Sequence, residues 1–177
     1  MSIGCKSQIE FSGEQYAEAI RHTKSLNFQN DRDLGRTDDD HLQDQFLGYI
    51  AEIAGLERLK ELGLEPRHVD ESESYIYDIE IAQGVKVDVK SRKLWNFDNP
   101  DLLVRDESEH ADVYVMVELS DVENGGYSAS VVGWVSKHEV FAYGEDFLPY
   151  VSKNDKQKID RKYLRDMDTL ADFLDAF

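Results

Sequence analysis

The sequence has few of the features that mark secreted, zinc-binding or membrane-spanning proteins. Its 177 residues include one cysteine, Cys5, so no disulfide can form within the chain. Such low cysteine content is typical of a reducing compartment, and we expect a cytoplasmic protein. The five histidines are scattered, and no two have zinc-ligand spacing. No apolar run approaches the length of a membrane span, and the N-terminus lacks the apolar segment of a signal peptide.

Positive charge is also scarce. The chain has 20 lysines and arginines against 37 aspartates and glutamates, which gives a formal net charge of -17. This balance argues against a protein that holds nucleic acid through overall positive charge. A nucleic-acid site would need a local basic patch, a divalent cation or a partner subunit. The acidic surface could alternatively mimic DNA or bind a basic partner.

The apolar content is sufficient for one folded domain. Hydrophobic residues make up 41% of the chain, and we find no internal repeat or low-complexity linker, so we expect a single domain over residues 1–177. A capping-box pattern at Ser12 predicts a helix to about Ser25, and apolar residues at three- and four-residue spacing predict a second helix over 41–63. Alternating or continuous apolar patterns predict strands within 74–91, 111–120 and 127–136, followed by a helix at 137–144 and a C-terminal helix. This order indicates an α/β (α+β) domain.

The segment VKVDVKSR, residues 85–92, alternates valine with charge and pairs naturally with the preceding strand. A turn centred on Gln83 places Glu80 opposite Lys86, a favourable cross-strand pair. The valines would face the core, and the charged residues would share the other face. These charged residues are Asp78, Glu80, Lys86, Asp88 and Lys90.

The same register places Asp78 opposite Asp88. Two opposed carboxylates destabilise a sheet by about 0.2–1 kcal/mol, unless a divalent cation lies between them. Oxygen ligands of this kind suit Mg²⁺ or Mn²⁺, and Lys90 on the same face could act on a water molecule or a phosphate. Two other interpretations remain open at this point: Asp88 and Lys90 could be the solvated face of an edge hairpin, or Asp70 could replace Asp78 in a shifted register.

A helix with a glutamate, then Asp78, then Asp88-Val89-Lys90 on the next strand resembles the PD-(D/E)xK nuclease superfamily. The similarity covers roughly residues 40–140, and Glu52 matches the helix glutamate. The pattern departs from the family in having Tyr77 where proline is common and aspartate where glutamate is the commoner middle acid. Some later segments look like those of phage or bacterial members.

The resemblance implies a restriction-endonuclease-like core, with a central mixed sheet of four to five strands flanked by helices. It implies a Mg²⁺-dependent nuclease, with Mn²⁺ as a possible substitute, that hydrolyses phosphodiester bonds in nucleic acid, first of all DNA. Glu52, Asp78 and Asp88 would hold the cation, and Lys90 would complete the catalytic set. Glu52 could instead be a solvent-facing helix residue. The alternative function is an inactive nuclease-like binding or DNA-mimic protein, and a homodimer is compatible with either function.

Two basic groups are candidates for contact with nucleic acid. Arg92 and Lys93 follow the motif directly, and a second group lies near the C-terminus. The alternative for the second group is an exposed helix face with ion pairs such as Lys162 with Asp166. The second group comprises Lys156, Lys158, Arg161 and Lys162.

Overall fold

The computed structural model describes residues 8–25, 38–69, 77–82, 84–95, 100–105, 111–123, 125–146 and 156–176. Four helices and nine strands lie in these ranges, with two short 3₁₀ turns near the C-terminus. In chain order they are β1 (Gln8–Glu10), α1 (Gly13–Ser25), α2 (Asp38–Glu61), β2 (Pro66–His68), β3 (Ile79–Ile81), β4 (Val85–Lys93), β5 (Leu102–Arg105), β6 (Val113–Val122), β7 (Gly126–Ser136), α3 (Lys137–Tyr143), β8 (Glu145–Asp146), β9 (Lys156–Ile159), the turns Arg161–Tyr163 and Met167–Thr169, and α4 (Leu170–Leu174).

The main sheet has six strands in the order β1-β7-β6-β4-β3-β2. Its β4–β6 pair is parallel and its other pairs are antiparallel, so the sheet is mixed, as predicted. The α/β class with flanking helices is confirmed. The sheet exceeds the expected four or five strands because β1 and β2 add three-residue strands at its two edges, too short to show a period in the sequence. A small sheet in the order β5-β9-β8 was not predicted.

The helices begin and end where local chemistry dictates. At the start of α1, the Oγ of Ser12 accepts a hydrogen bond from the backbone of Gln15 (3.2 Å), and the Gln15 side chain accepts one from the Ser12 backbone (2.8 Å). The second helix begins slightly earlier than predicted, at Asp38, and ends before Gly63, whose φ of +76° suits glycine. None of the described helices is long and apolar enough to cross a bilayer.

Apolar layers cover both faces of the main sheet. Helix α2 packs across β4, β6 and β7, and its buried residues meet Val85, Val87 and Val89. On the opposite face, Tyr114 and Met116 belong to a second cluster with residues of β5, β7, α3 and β9. Because β6 is buried on both faces, its apolar run is continuous, as predicted. Asp88 lies beside Tyr114 on this second face and is itself buried, so the alternative interpretation of Asp88 as a solvated residue is wrong.

The C-terminal segment contains the predicted helix only in short form. It forms β9, the two 3₁₀ turns and the short α4. Trp134 of β7 anchors this segment, since its backbone exchanges two hydrogen bonds with Arg165, at 3.0 and 2.8 Å. The indole ring of Trp134 is fully buried.

Candidate active site

The β3–β4 hairpin has the predicted register. Glu80 stands opposite Lys86 and Ile81 opposite Val85, and Gly84 lies in the turn at a φ of +81°. The paired register ends at Ile79 opposite Val87, one residue short of Asp78 and Asp88. However, β4 lies between β3 and β6 in the sheet, so the interpretation as an edge hairpin is wrong.

Asp78 is fixed by three backbone contacts at the start of β3. Its N–H donates to the carbonyl of Val87 (3.0 Å), and its carbonyl accepts from the N–H of Val69 (2.8 Å). Its carboxylate Oδ2 also accepts a hydrogen bond from the N–H of Val89 (2.7 Å). The side chain therefore closes the end of the β3–β4 ladder. Asp78 itself lies just outside the paired residues of β3, and Asp70 lies outside the described residues.

Asp88 is a buried carboxylate with only 3% of its surface exposed. Its Oδ2 lies 2.7 Å from Nζ of Lys90, within ion-pair distance. No described residue donates a hydrogen bond to this Oδ2. Burying a carboxylate is costly unless it is paired and hydrogen-bonded. The interpretation of Asp88 as part of a solvated strand face is therefore excluded.

Glu52 reaches this region because α2 approaches β4 closely at Gly55. A Cβ atom at Gly55 would lie 3.0 Å from Cγ2 of Val89, so a larger residue would push the helix away. One turn earlier, the carboxylate of Glu52 lies with Oε2 2.7 Å from Nε2 of His68 on β2. The Glu52 side chain is 21% exposed, so it is not a freely solvated helix residue.

The electrostatics of Asp78 show that the acidic residues converge. Burial raises the pKa of the Asp78 carboxyl well above its ordinary value, although the residue keeps some exposed surface. The nearby carboxylates of Glu52 and Asp88 raise this pKa further, while Lys90 and the N–H of Val89 lower it in part. The other three predicted catalytic residues therefore lie within electrostatic reach of Asp78.

The donor types at this site suit a hard divalent cation. Three carboxylates supply oxygen atoms, and the buried Oδ2 of Asp88 has no hydrogen-bond donor among the described residues. As they stand, however, no three or more histidine, cysteine or acidic side chains of the described chain are arranged to hold a metal ion. Asp88 lies against Lys90, and Glu52 lies against His68. The site therefore fits a cation in charge and donor type, and the Asp88 carboxylate would have to turn away from Lys90 to meet it.

The ion pair of Glu80 differs from the predicted one. Although Glu80 stands opposite Lys86, its carboxylate lies 2.8 Å from Nη2 of Arg67 on β2. The ammonium of Lys86 instead lies 5.4 Å from the ring centre of Tyr77. The charge of Glu80 is therefore balanced by Arg67 across β2 and β3. The sequence did not reveal this pair because β2 was not predicted.

The two basic residues after the motif point to different faces of the sheet. Arg92 shares the face of Asp88 and Lys90 and is half-buried, and burial lowers the pKa of its guanidinium while Asp101 opposes this shift. Lys93 lies on the α2 side, with its Nζ 2.6 Å from Oδ1 of Asp44. The structure therefore aligns Arg92, and not Lys93, with the acidic residues.

The C-terminal basic group lies on β9 and a 3₁₀ turn, so its interpretation as a helix face is wrong. Lys158 lies 3.7 Å from Asp101, and Lys162 forms its ion pair with Asp160 (2.8 Å), where the prediction had Asp166. The side chain of Lys156 is outside the described part of the structure.

Arg161 of the same group pairs with the buried carboxylate of Glu118 on β6. Glu118 stands beside Arg92 in the parallel β4–β6 register. Arg161 therefore has an internal role, because it balances a carboxylate that water does not reach.

Sequence reasoning missed His68 and Glu118. His68 lies in a three-residue strand, and Glu118 stands within an apolar run that indicated only burial. Their roles depend on contacts with Glu52 and Arg161, 16 and 43 residues away along the chain. A charged residue inside the apolar run of β6 was the one local signal for Glu118.

The sequence matches no protein-family model and no curated protein. The case for a function therefore rests on the geometry and chemistry described above.

Proposed function

We propose that this protein is a divalent-cation-dependent nuclease that hydrolyses phosphodiester bonds, with DNA as the first expected substrate. The observation that carries the proposal is the buried Asp88, in ion-pair contact with Lys90 and close enough to Asp78 to raise its pKa. A fold gains nothing in stability from bringing Glu52 and Asp88 close to Asp78, since their carboxylates disfavour ionisation of Asp78. Such an arrangement is typical of a functional site.

Glu52, Asp78 and Asp88 would hold Mg²⁺, or Mn²⁺ in its place. The bound cation would neutralise charge on a phosphate and polarise its oxygen atoms. Asp78 is the best-fixed ligand, because the backbone of Val89 already orients its carboxylate. Asp88 provides the most deeply buried carboxylate.

Lys90 would contribute a positive charge next to the scissile phosphate. Its Nζ lies near Asp88, and its side chain is 26% exposed, so it can reach a substrate at the surface. An ammonium in this position stabilises the negative charge that develops on phosphate oxygens and orients an attacking water molecule. Arg92 lies two residues further on the same face and would contact the adjacent backbone phosphate.

The test is DNA cleavage by wild type, Lys90→Ala and the matched control Lys86→Ala. Lys86 has the same charge, strand and sheet face, but its ammonium lies over Tyr77. We expect cleavage that requires Mg²⁺ or Mn²⁺ and stops with EDTA. Lys90→Ala should lower the rate by about 100-fold or more, and Lys86→Ala should keep it nearly unchanged. Equal rates for the two variants would contradict the role of Lys90, and absence of cleavage of DNA and RNA with either cation would contradict the enzyme proposal.

The second candidate is an inactive nuclease-like protein that binds a basic partner or mimics DNA. The net charge of -17 favours this candidate. It predicts that wild type binds its partner without divalent cations and that Lys90→Ala retains this binding. Cation-dependent cleavage would exclude it.

A further inference from the structure

The contact between His68 and Glu52 is a short hydrogen bond between two partly buried side chains. Nε2 of His68 lies 2.7 Å from Oε2 of Glu52, and the two side chains are 25% and 21% exposed. Since an ionised carboxylate only accepts hydrogen bonds, we assign the proton to Nε2 of the imidazole. The contact joins α2 to β2 across 16 residues of sequence.

The backbone of His68 is fixed by the same strands that fix Asp78. His68 stands opposite Ile79 in the β2–β3 ladder, and the next residue, Val69, donates its N–H to the carbonyl of Asp78. Any shift of β2 would therefore move His68 and Asp78 together. This shared support keeps the imidazole in register with the acidic site.

Aromatic contacts hold the imidazole ring from the helix side. The ring of Tyr49 meets His68 edge-on, with 5.2 Å between ring centres, and stacks on His22 with 4.1 Å between centres. The hydroxyl of Tyr49 donates to Oε1 of Glu18 on α1 (3.1 Å). The chain of contacts Glu18–Tyr49–His68–Glu52 thus ties the orientation of one acidic side chain to both helices.

We propose that His68 is a positioning residue that holds Glu52 in the orientation in which it binds a divalent cation. A hydrogen bond through Oε2 fixes the plane of the carboxylate and thereby the direction of its second oxygen. Partners of this kind usually change metal affinity by about 10- to 100-fold when they are removed. The inference rests on the proposed function, because it takes Glu52 as a cation ligand.

The experiment measures Mn²⁺ binding to the full chain by electron paramagnetic resonance, without nucleic acid. His68→Leu removes the donor, and His68→Gln keeps an N–H near the position of Nε2. His138→Leu, at an exposed histidine of α3, is the matched control. We expect His68→Leu to weaken Mn²⁺ binding about 10- to 100-fold, with His68→Gln recovering most of the loss and His138→Leu equal to wild type. Melting temperatures measured without Mn²⁺ show whether each variant is folded.

Three results would overturn the inference. The first is unchanged Mn²⁺ affinity in folded His68→Leu. The second is failure of His68→Gln to recover affinity while its melting temperature equals that of wild type. The third is a pulsed-resonance coupling from nitrogen bound directly to Mn²⁺ in wild type that His68→Gln abolishes, because His68 would then be a ligand.

The outcome also separates this inference from the proposed function. If wild type binds Mn²⁺ with the predicted variant pattern but cleaves no nucleic acid, the nuclease proposal fails and the role of His68 stands. If wild type cleaves DNA and His68→Leu binds Mn²⁺ like wild type, only the role of His68 fails. If wild type binds no Mn²⁺, the role of His68 is wrong.

Discussion

Asp78 is the residue at which the fold and the proposed chemistry meet. Its backbone joins β2, β3 and β4, while its carboxyl lies among the other acidic groups. The hydrogen bond from Val89 favours the ionised form, but burial and the neighbouring carboxylates outweigh it, since the pKa is raised overall. The ionised side chain of Asp78 therefore destabilises the folded protein when no cation is bound.

Replacing Asp78 with asparagine should stabilise the cation-free protein at neutral and alkaline pH. The raised pKa means that Asp78 contributes stability below its unfolded pKa of about 3.9, and that this contribution is lost as pH rises through the higher folded pKa. Asparagine removes the charge and still offers an oxygen to the N–H of Val89. We expect Asp78→Asn to melt at a higher temperature than wild type in EDTA, and we expect this difference to increase as the pH rises from about 4 to about 8.

Two controls make this experiment specific. Asp121→Asn, at an exposed site near the end of β6, should show no such growth with pH. Adding Mn²⁺ at pH 8 should raise the melting temperature of wild type and not that of Asp78→Asn. A difference between Asp78→Asn and wild type that stays constant with pH would show that the Asp78 carboxyl is not destabilised by its surroundings.

The elements show which parts of the fold could be predicted from local sequence. The start of α1 and the β3–β4 register followed from short-range chemistry, namely a capping box at Ser12 and a glycine in a tight turn. Edge strands β1 and β2 and the small sheet could not be predicted, because their segments are two to four residues long and pair with distant partners. Asp78, Asp88 and Lys90 were proposed because strand alternation places side chains on defined faces, and Glu52 because the resemblance includes a helix glutamate. His68 required the unpredicted β2.

The junction of β7 with the C-terminal segment offers a test of element packing. A Cβ atom at Gly133 would lie 2.4 Å from the carbonyl oxygen of Arg165, the atom that accepts from the backbone of Trp134. Gly133→Ala should therefore destabilise the protein by about 1–3 kcal/mol or more, as overpacking of a rigid backbone contact does. Chemical denaturation would measure the change.

Gly48→Ala is the matched control for this substitution. Gly48 lies within α2, and a Cβ atom there would meet nothing within 4 Å. Alanine should stabilise the helix by about 0.5–1 kcal/mol because it restricts the unfolded chain more than glycine does. If the two variants change stability equally, the close approach of Arg165 to β7 is wrong.

The charge of the whole molecule sets the conditions under which the proposed site could work. With a net charge of -17, the protein repels nucleic acid at long range. Three of the basic residues predicted to contact nucleic acid already have acidic partners; these are Lys158, Arg161 and Lys162. A divalent cation would supply positive charge where the phosphate must approach. The acidity and the cation requirement are thus two parts of one explanation.

The central claim is that the buried carboxylates serve a divalent cation in phosphodiester hydrolysis. Its most direct test is the initial rate of DNA cleavage as a function of Mg²⁺ concentration, for wild type and Asp88→Asn. We predict a saturable Mg²⁺ dependence for wild type and a loss of about 100-fold or more in Asp88→Asn, because asparagine removes a charged oxygen ligand. Cleavage by Asp88→Asn at the wild-type rate, or a wild-type rate that does not respond to Mg²⁺, would contradict the claim.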